Sequence, residues 1–155
     1  MKIGFKKVHP DAKLPSYAHA GDAGMDVYAV EDVTLKPYTP TLVQTGLIAD
    51  IPTGYEIQVR PRSGLALKSA ITVLNSPGTI DSQYRGQIGV ILFWCPQLDY
   101  DCNMHLSMRG WQYKVTKGDK IAQLVVAPVT KCEPVEVEEV SETERGVGGF
   151  GSTGA

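Results

Sequence analysis

Residues 55–94 read YEIQVRPRSGLALKSAITVLNSPGTIDSQYRGQIGVILFW, and this stretch decides the fold. Three runs in it, YEIQVRP (55–61), ITVLN (71–75) and QIGVILFW (87–94), are short and rich in β-branched and aromatic residues, which suit a pleated, half-buried strand. Between the first two lies SGLALKSA (63–70), the one segment that predicts helix. Leu65, Ala66 and Leu67 favour it, and Ser63 can serve as N-cap. Pro77-Gly78 fits the centre of a type II turn, so Asn75 to Asp81 is expected to form a tight bend or hairpin.

The flanking sequence continues the pattern. KIGFKKV (2–8), MDVYAV (25–30), LVQTGLIADI (42–51), KIAQLVVAPV (120–129) and VEVEEV (135–140) read as further strands. Lys36-Pro37, Pro52-Thr53-Gly54 and Lys117-Gly118-Asp119 punctuate them. Short strands at this spacing predict an all-β, jelly-roll-like sandwich or barrel with one short helix, not βαβ units. One domain over 1–140 accounts for the core, and from Ser141 the apolar content collapses into a flexible tail, 141–155. The connection WCPQLDYDCNMHLSMRGWQYK (94–114) is unusually long for a compact domain. Two Trp and two Tyr in it predict an ordered, extended hairpin.

Composition bounds the function. The chain has 155 residues, 43% hydrophobic and 21% charged, with formal net charge −2. That balance offers no basic field for stable nucleic-acid binding, so an anionic ligand must be met by a few placed groups. The opening MKIGFKKVHPDAKLP lacks the apolar stretch of a signal peptide, and IGVILFWC is far too short to span a membrane. Cys95, Cys102 and Cys132 are odd in number and follow no framework spacing, which predicts a reduced, cytoplasmic setting, that of the host if the chain is viral.

Five stretches carry chemistry. AGDAGMDVYA (20–29) puts Asp22 and Asp26 in a Gly-rich strand entry, where Gly21 and Gly24 let the backbone turn tightly. The carboxylates serve either the turn or a Mg²⁺ ion that keeps most of its water. PRSGLA (61–66) sets Arg62, Ser63 and Gly64 where a strand hands over to a helix, either as a plain cap or as an anion site. NSPGTIDSQYRG (75–86) sets Asp81 three residues before Tyr84. A carboxylate beside a bend can act as general base next to a flat ligand, or it can simply belong to the turn. In GDKIAQLVV (118–126), Gln123 interrupts an apolar run and must find a partner, in the fold or in a ligand. RGVGGFGSTGA (145–155) reads as a linker-like end, yet its glycine N–H groups, Arg145 and Phe150 could receive phosphate and a base. Cys95, Cys102 and His105 match no zinc spacing, and His9 and His19 join no nucleophilic set.

In this order, AGDAGMDVYA, PRSGLA, GTIDSQYRG, GDKIAQLV and RGVGGFGSTG resemble the five motifs of the homotrimeric dUTP pyrophosphatases, the dUTPases. They run from Ala20 to Gly154, nearly the whole chain. The resemblance implies a β jelly-roll-like subunit, a homotrimer with interfacial active sites, and Mg²⁺-dependent hydrolysis of dUTP to dUMP and pyrophosphate. It thereby implies a part in keeping uracil out of DNA and supplying dUMP for dTMP synthesis.

By position in those motifs, Asp81 would activate water for attack on the α-phosphorus. Tyr84 would pack under the deoxyribose, while Asn75 and the backbone of Gly78, Thr79 and Ile80 would read the uracil edge. Arg62, Ser63, Gly64 and Gln123 would hold phosphates, and Asp26 would meet the metal through its waters. Arg145 and Ser152, with Gly151, would close on the phosphates while Phe150 covers the uracil, making the tail a lid. The 94–114 segment looks longer than the hairpin usual between these motifs, and is expected to serve oligomer packing or a protein partner. Two rivals stand beside this reading: a dCTP deaminase, a related trimer expected to use a Glu that the 75–86 bend lacks, and a regulatory binding protein on the same fold.

Overall fold

The computed structural model describes residues 1–96 and 111–149. Along the chain these form β1 (Gly4–Lys7), β2 (Met25–Tyr28), β3 (Val33–Leu35), β4 (Thr41–Gln44), β5 (Leu47–Asp50) and β6 (Tyr55–Arg60). The helix α1 (Ser63–Ser69) follows, then β7 (Ile71–Val73), β8 (Gly78–Ile80), β9 (Gly89–Trp94), β10 (Tyr113–Val115) and β11 (Lys120–Pro128). The strands assemble as a four-stranded sheet, β2-β11-β6-β8, a three-stranded sheet, β4-β9-β7, and the pairs β1-β5 and β10-β3. All strand pairs are antiparallel. The architecture is all-β and jelly-roll-like, with one short helix. No helix among the described residues is long and apolar enough to cross a membrane.

Alternation builds the core. In β6, Ile57 and Val59 face inward and are buried. The outward Glu56, Gln58 and Arg60 bond along the strand: Gln58 Nε2 donates to Glu56 Oε1 at 2.6 Å, and Arg60 Nε donates to Gln58 Oε1 at 3.0 Å. In β11 a register shift between Lys120 and Ala122 lets Ile121 and Ala122 both enter the core. Val27, Leu35, Leu47, Val90, Leu92 and Leu124 complete its centre, each fully or almost fully buried. Every such aliphatic side chain contributes about 1.5–3 kcal/mol on leaving water.

The run 42–51 is two strands. Gly46, at φ +68°, breaks it, and the chain passes from the three-stranded sheet to its pairing with β1. Thr45 is the polar residue at that crossing. Its buried hydroxyl donates to the carbonyl of Ile88 at 2.7 Å and accepts from Leu47 N at 3.3 Å.

Four expectations are corrected. VEVEEV (135–140) forms no strand, and Val135, Val137 and Val140 are 72%, 59% and 84% exposed. Alternation gave it strand propensity, but no edge among the described residues pairs with it. Pro77-Gly78 is not a type II turn, because Gly78 lacks the positive φ that turn demands. Nor is 75–81 a hairpin: β7 and β8 lie in different sheets, so the bend carries the chain from one to the other. Finally, Arg62 occupies the N-cap of α1, at φ −90° and ψ 129°, without a side-chain cap bond, and Ser63 is already helical.

The 94–114 connection leaves and re-enters the fold at one place. The Trp94 and Tyr113 rings lie 6.1 Å apart, Cys95 N donates to Ala70 O at 2.9 Å, and Tyr38 Oη donates to Pro96 O at 2.7 Å. The hairpin expected between these ends, with Cys102 and His105, falls on 97–110, outside the described residues.

Candidate active site

The 75–84 stretch encloses a cavity of about 150 Å³, walled by Val59, Asn75, Gly78, Ile80, Asp81 and Tyr84. A cavity of about this volume accepts one six-membered ring. Its shape follows from the fold. β8 pairs with β6 on one side and is the last strand of its sheet, so its other side offers backbone N–H and C=O groups to a ligand edge. Gly78 is buried there, and a Cβ on it would stand 3.1 Å from Asn75 Nδ2. Tyr84 N donates to Asp81 O at 3.1 Å, closing a turn that leaves the Asp81 carboxylate exposed at the rim. The Tyr84 ring then folds forward, and its hydroxyl donates to Gln87 O at 3.2 Å.

A second cluster forms at the far end of the same sheet. Asp26, on β2, is 4% exposed, and each of its oxygens meets a cation. Arg62 Nε lies 3.1 Å from Oδ1 and Lys120 Nζ 2.7 Å from Oδ2. Burial is the largest single influence on this carboxyl and opposes its charge. The Lys120 hydrogen bond and the charges of Arg62 and Lys120 together outweigh burial and hold its pKa below the ordinary value of 3.8. Arg62 Nη1 also donates to Lys120 O at 3.2 Å, which fixes the guanidinium between β2 and β11.

Gln123 stands opposite Asp26 in the β2–β11 register. It lies across Gly24, where a Cβ would meet its Cβ and Oε1 at 3.2 Å. Neither Gly21 nor Gly24 has the positive φ of a tight glycine turn, so Gly24 serves close approach instead. Asp22 is turn chemistry: its Oδ2 accepts from His19 N at 2.8 Å. Ser63 and Gly64 are exposed at the start of α1. Lys120 is the member of this cluster that sequence reasoning did not single out, because a lysine opening a strand reads as a solvated charge.

The two clusters do not meet within one chain. Gln123 pairs with Arg60 and Ile80 with Ile57, so Asp81 lies two strands across and four residues along from Gln123. With strands about 4.7–4.9 Å apart and about 3.2–3.4 Å per residue, that separates their backbones by roughly 16 Å. In the tail, Arg145 is exposed, with Nε donating to Gly148 O at 2.8 Å. Phe150, Gly151 and Ser152 fall outside the described residues.

The donor set also bears on a metal. Among the described residues no three His, Cys, Asp or Glu side chains gather into a metal cage. Asp26 is the carboxylate that Arg62 and Lys120 hold, and a carboxylate has about four lone-pair sites, of which these two cations take two. That fits a hydrated Mg²⁺ carried on a ligand's phosphates, which needs one carboxylate at most and keeps its own waters.

The dUTPase family model matches residues 10–154. The chain is 48% identical over 154 residues to the deoxyuridine 5′-triphosphate nucleotidohydrolase of Picosynechococcus sp., with 99% of each covered. Its structure is similar to that of the Staphylococcus bacteriophage 80alpha dUTPase with dUPNHPP, at TM-score 0.86 and 31% identity, covering 99% of both chains. It is also similar to a mutant dUTPase from phage phi11 of S. aureus whose structure details the coordination of a structural Mg(II) ion. There the TM-score is 0.76 and the identity 25%, over 92% of this chain and 100% of that one. By sequence and by fold alike, the chain belongs to the dUTPase family.

Proposed function

We propose that the protein is a dUTP diphosphatase, hydrolysing dUTP to dUMP and pyrophosphate as a homotrimer with active sites between subunits. The observation that carries the reading is the ring-sized cavity with an exposed carboxylate, Asp81, at its rim. Uracil presents an acceptor–donor–acceptor edge, which the free side of β8 and the Asn75 amide complement with backbone and side-chain groups. The Tyr84 ring forms the wall against which a deoxyribose packs and a 2′-hydroxyl is excluded.

Asp81 takes the proton of a water whose oxygen attacks the α-phosphorus. The bond to the bridging oxygen breaks, and pyrophosphate departs with the electron pair. Arg62, Ser63, Gly64 and Gln123 receive phosphate oxygens, and Lys120 adds positive charge beside them. Mg²⁺, met by Asp26 through water, supplies charge neutralisation along the triphosphate when bound. The tail closes over the assembled site as a lid, with Arg145 and Ser152 toward phosphate, Gly151 beside them, and Phe150 over the base.

Two observations support the trimer. The base-sized cavity and the phosphate cluster sit at opposite edges of one sheet, with the Asp81 and Gln123 backbones roughly 16 Å apart by strand spacing, which favours a site that a second subunit completes. And VEVEEV is exposed, alternates apolar and acidic residues, and pairs with no strand among the described residues, the pattern of a segment that completes another copy's sheet. The segment at 94–114 remains a proposed packing or partner surface.

The test is pyrophosphate release from dUTP, dCTP, dTTP and UTP with Mg²⁺. The reading expects dUTP alone to be turned over efficiently, and expects Asp81→Asn to lower kcat by about 10²–10⁴-fold. Absence of pyrophosphate from dUTP, or ammonia released from dCTP, would sink it.

A further inference from the structure

The Tyr84 ring rests where a side chain on Gly86 would be. An ideal Cβ on Gly86 would stand 2.2 Å from Tyr84 Oη, 2.4 Å from Cζ and 2.9 Å from Cε2. Ordinary carbon contacts lie at about 3.5–4.0 Å, so the ring and a methyl cannot share that space. Gly86 is not among the glycines with positive φ, so its backbone conformation suits any L-residue. The reason for glycine is therefore the ring and not the turn.

We propose that Gly86 is a specificity-determining position: by carrying no side chain it seats the Tyr84 ring against the base-sized cavity, and through that ring sets discrimination between deoxyribose and ribose triphosphates. The inference rests on the reading of Tyr84 as the sugar wall. The parts of Tyr84 that would be displaced are its hydroxyl and the outer ring atoms. Tyr84 is 47% exposed and also borders a broader depression of about 420 Å³ with Thr53, Tyr55 and Lys131, so the ring has room to leave. A methyl at Gly86 thus costs the fold little and moves the ring much. It also breaks the bond from Tyr84 Oη to Gln87 O, the one hydrogen bond recorded for that hydroxyl among the described residues.

The experiment compares the parent, Gly86→Ala, Tyr84→Ala and the double variant, reading kcat and KM for dUTP and UTP together with the thermal midpoint. Gly86→Ala is expected to fold as the parent does and to lose about tenfold to a hundredfold of the dUTP-over-UTP preference, the scale of a misplacement near 1 Å. Because Gly86 acts through Tyr84, adding Gly86→Ala to Tyr84→Ala should change that preference by less than about twofold. An unaltered preference in Gly86→Ala, a full additional loss in the double variant, or a Gly86→Ala chain that fails to fold would each overturn the inference. A parent that hydrolyses dUTP but prefers it no more than UTP would overturn the Tyr84 wall and this inference with it, leaving dUTP hydrolysis standing.

Discussion

Lys120 crosses from β11 to Asp26 on β2, placing its ammonium 2.7 Å from Oδ2 of a carboxylate that is only 4% exposed. With Arg62 on the other oxygen, one buried anion organises two cations from different parts of the chain. Removing the anion leaves the cations facing each other. Asp26→Asn, which keeps the shape, is expected to cost about 2 kcal/mol, less than a fully buried pair because Lys120 reaches solvent. The urea midpoint measures it.

The same carboxylate sets an acid limit. Its folded pKa lies below 3.8, so near pH 4 the unfolded chain binds more protons at Asp26 than the folded one. Its contribution is complete above the unfolded value and is lost as pH falls through the folded value. Thermal midpoints taken from pH 6 down to 2.5 should therefore fall less steeply in Asp26→Asn than in the parent. Parallel curves would show that Asp26 contributes nothing to acid sensitivity.

Gly46 tests the crossing between sheets. A Cβ there would lie 2.7 Å from His9 Cβ and 2.9 Å from both Ala12 Cβ and Val30 Cγ1, and φ is +68°. Ala12 and Val30 are buried, so none of these neighbours yields easily. Strain and overpacking act together, and Gly46→Ala should lose about 2–4 kcal/mol. This is the opposite expectation to Gly86→Ala, whose obstacle is the outer end of a half-exposed ring.

That contrast marks what sequence can and cannot express. The strands β6, β9 and β11 were legible because each is a long run of β-branched residues whose alternation or apolarity has one structural meaning. β3, β8 and β10 span three residues each and lack the apolar neighbour that lets ITVLN register the equally short β7. VEVEEV failed for another reason: its pattern states a capacity to pair, whereas pairing depends on a free edge supplied elsewhere. The five chemical stretches contain the cavity walls Asn75, Gly78, Ile80, Asp81 and Tyr84 and the cation cluster, though not Val59. Their order along the chain says nothing of the gap between Asp81 and Gln123, which depends on the β6–β8 and β6–β11 registers. Gly24 reads as a turn glycine and Gly86 draws no reading of its own, while their use is the closeness of Gln123 and Tyr84, a tertiary fact.

A chelator separates the metal's part in turnover from any part in the fold. Among the described residues no carboxylate cage exists, so Mg²⁺ bound through the nucleotide adds nothing to the free chain's stability. EDTA is expected to abolish dUTP hydrolysis while shifting the thermal midpoint of the nucleotide-free protein by less than about 1 °C, the shift of a few tenths of a kcal/mol or less. A larger shift would mean a structural metal site outside the residues discussed.

The tail is tested by ending the chain at Glu144. Residues 141–147 are exposed, and their recorded bonds are local: Arg145 Nε to Gly148 O, and Gly146 N to the Thr143 hydroxyl. Nothing in the core depends on them, so the truncated protein should match the parent in thermal midpoint and in sedimentation. Turnover should not survive so well. Losing Arg145 and the residues after it removes a cation from the phosphates and a cover from the base, and kcat/KM should fall by about 10²-fold or more. Because 133–140 is retained, any arm that VEVEEV lends to a neighbouring subunit remains in place. A loss of activity that came with a loss of assembly would therefore count against the lid, whereas loss of activity in an intact assembly supports it.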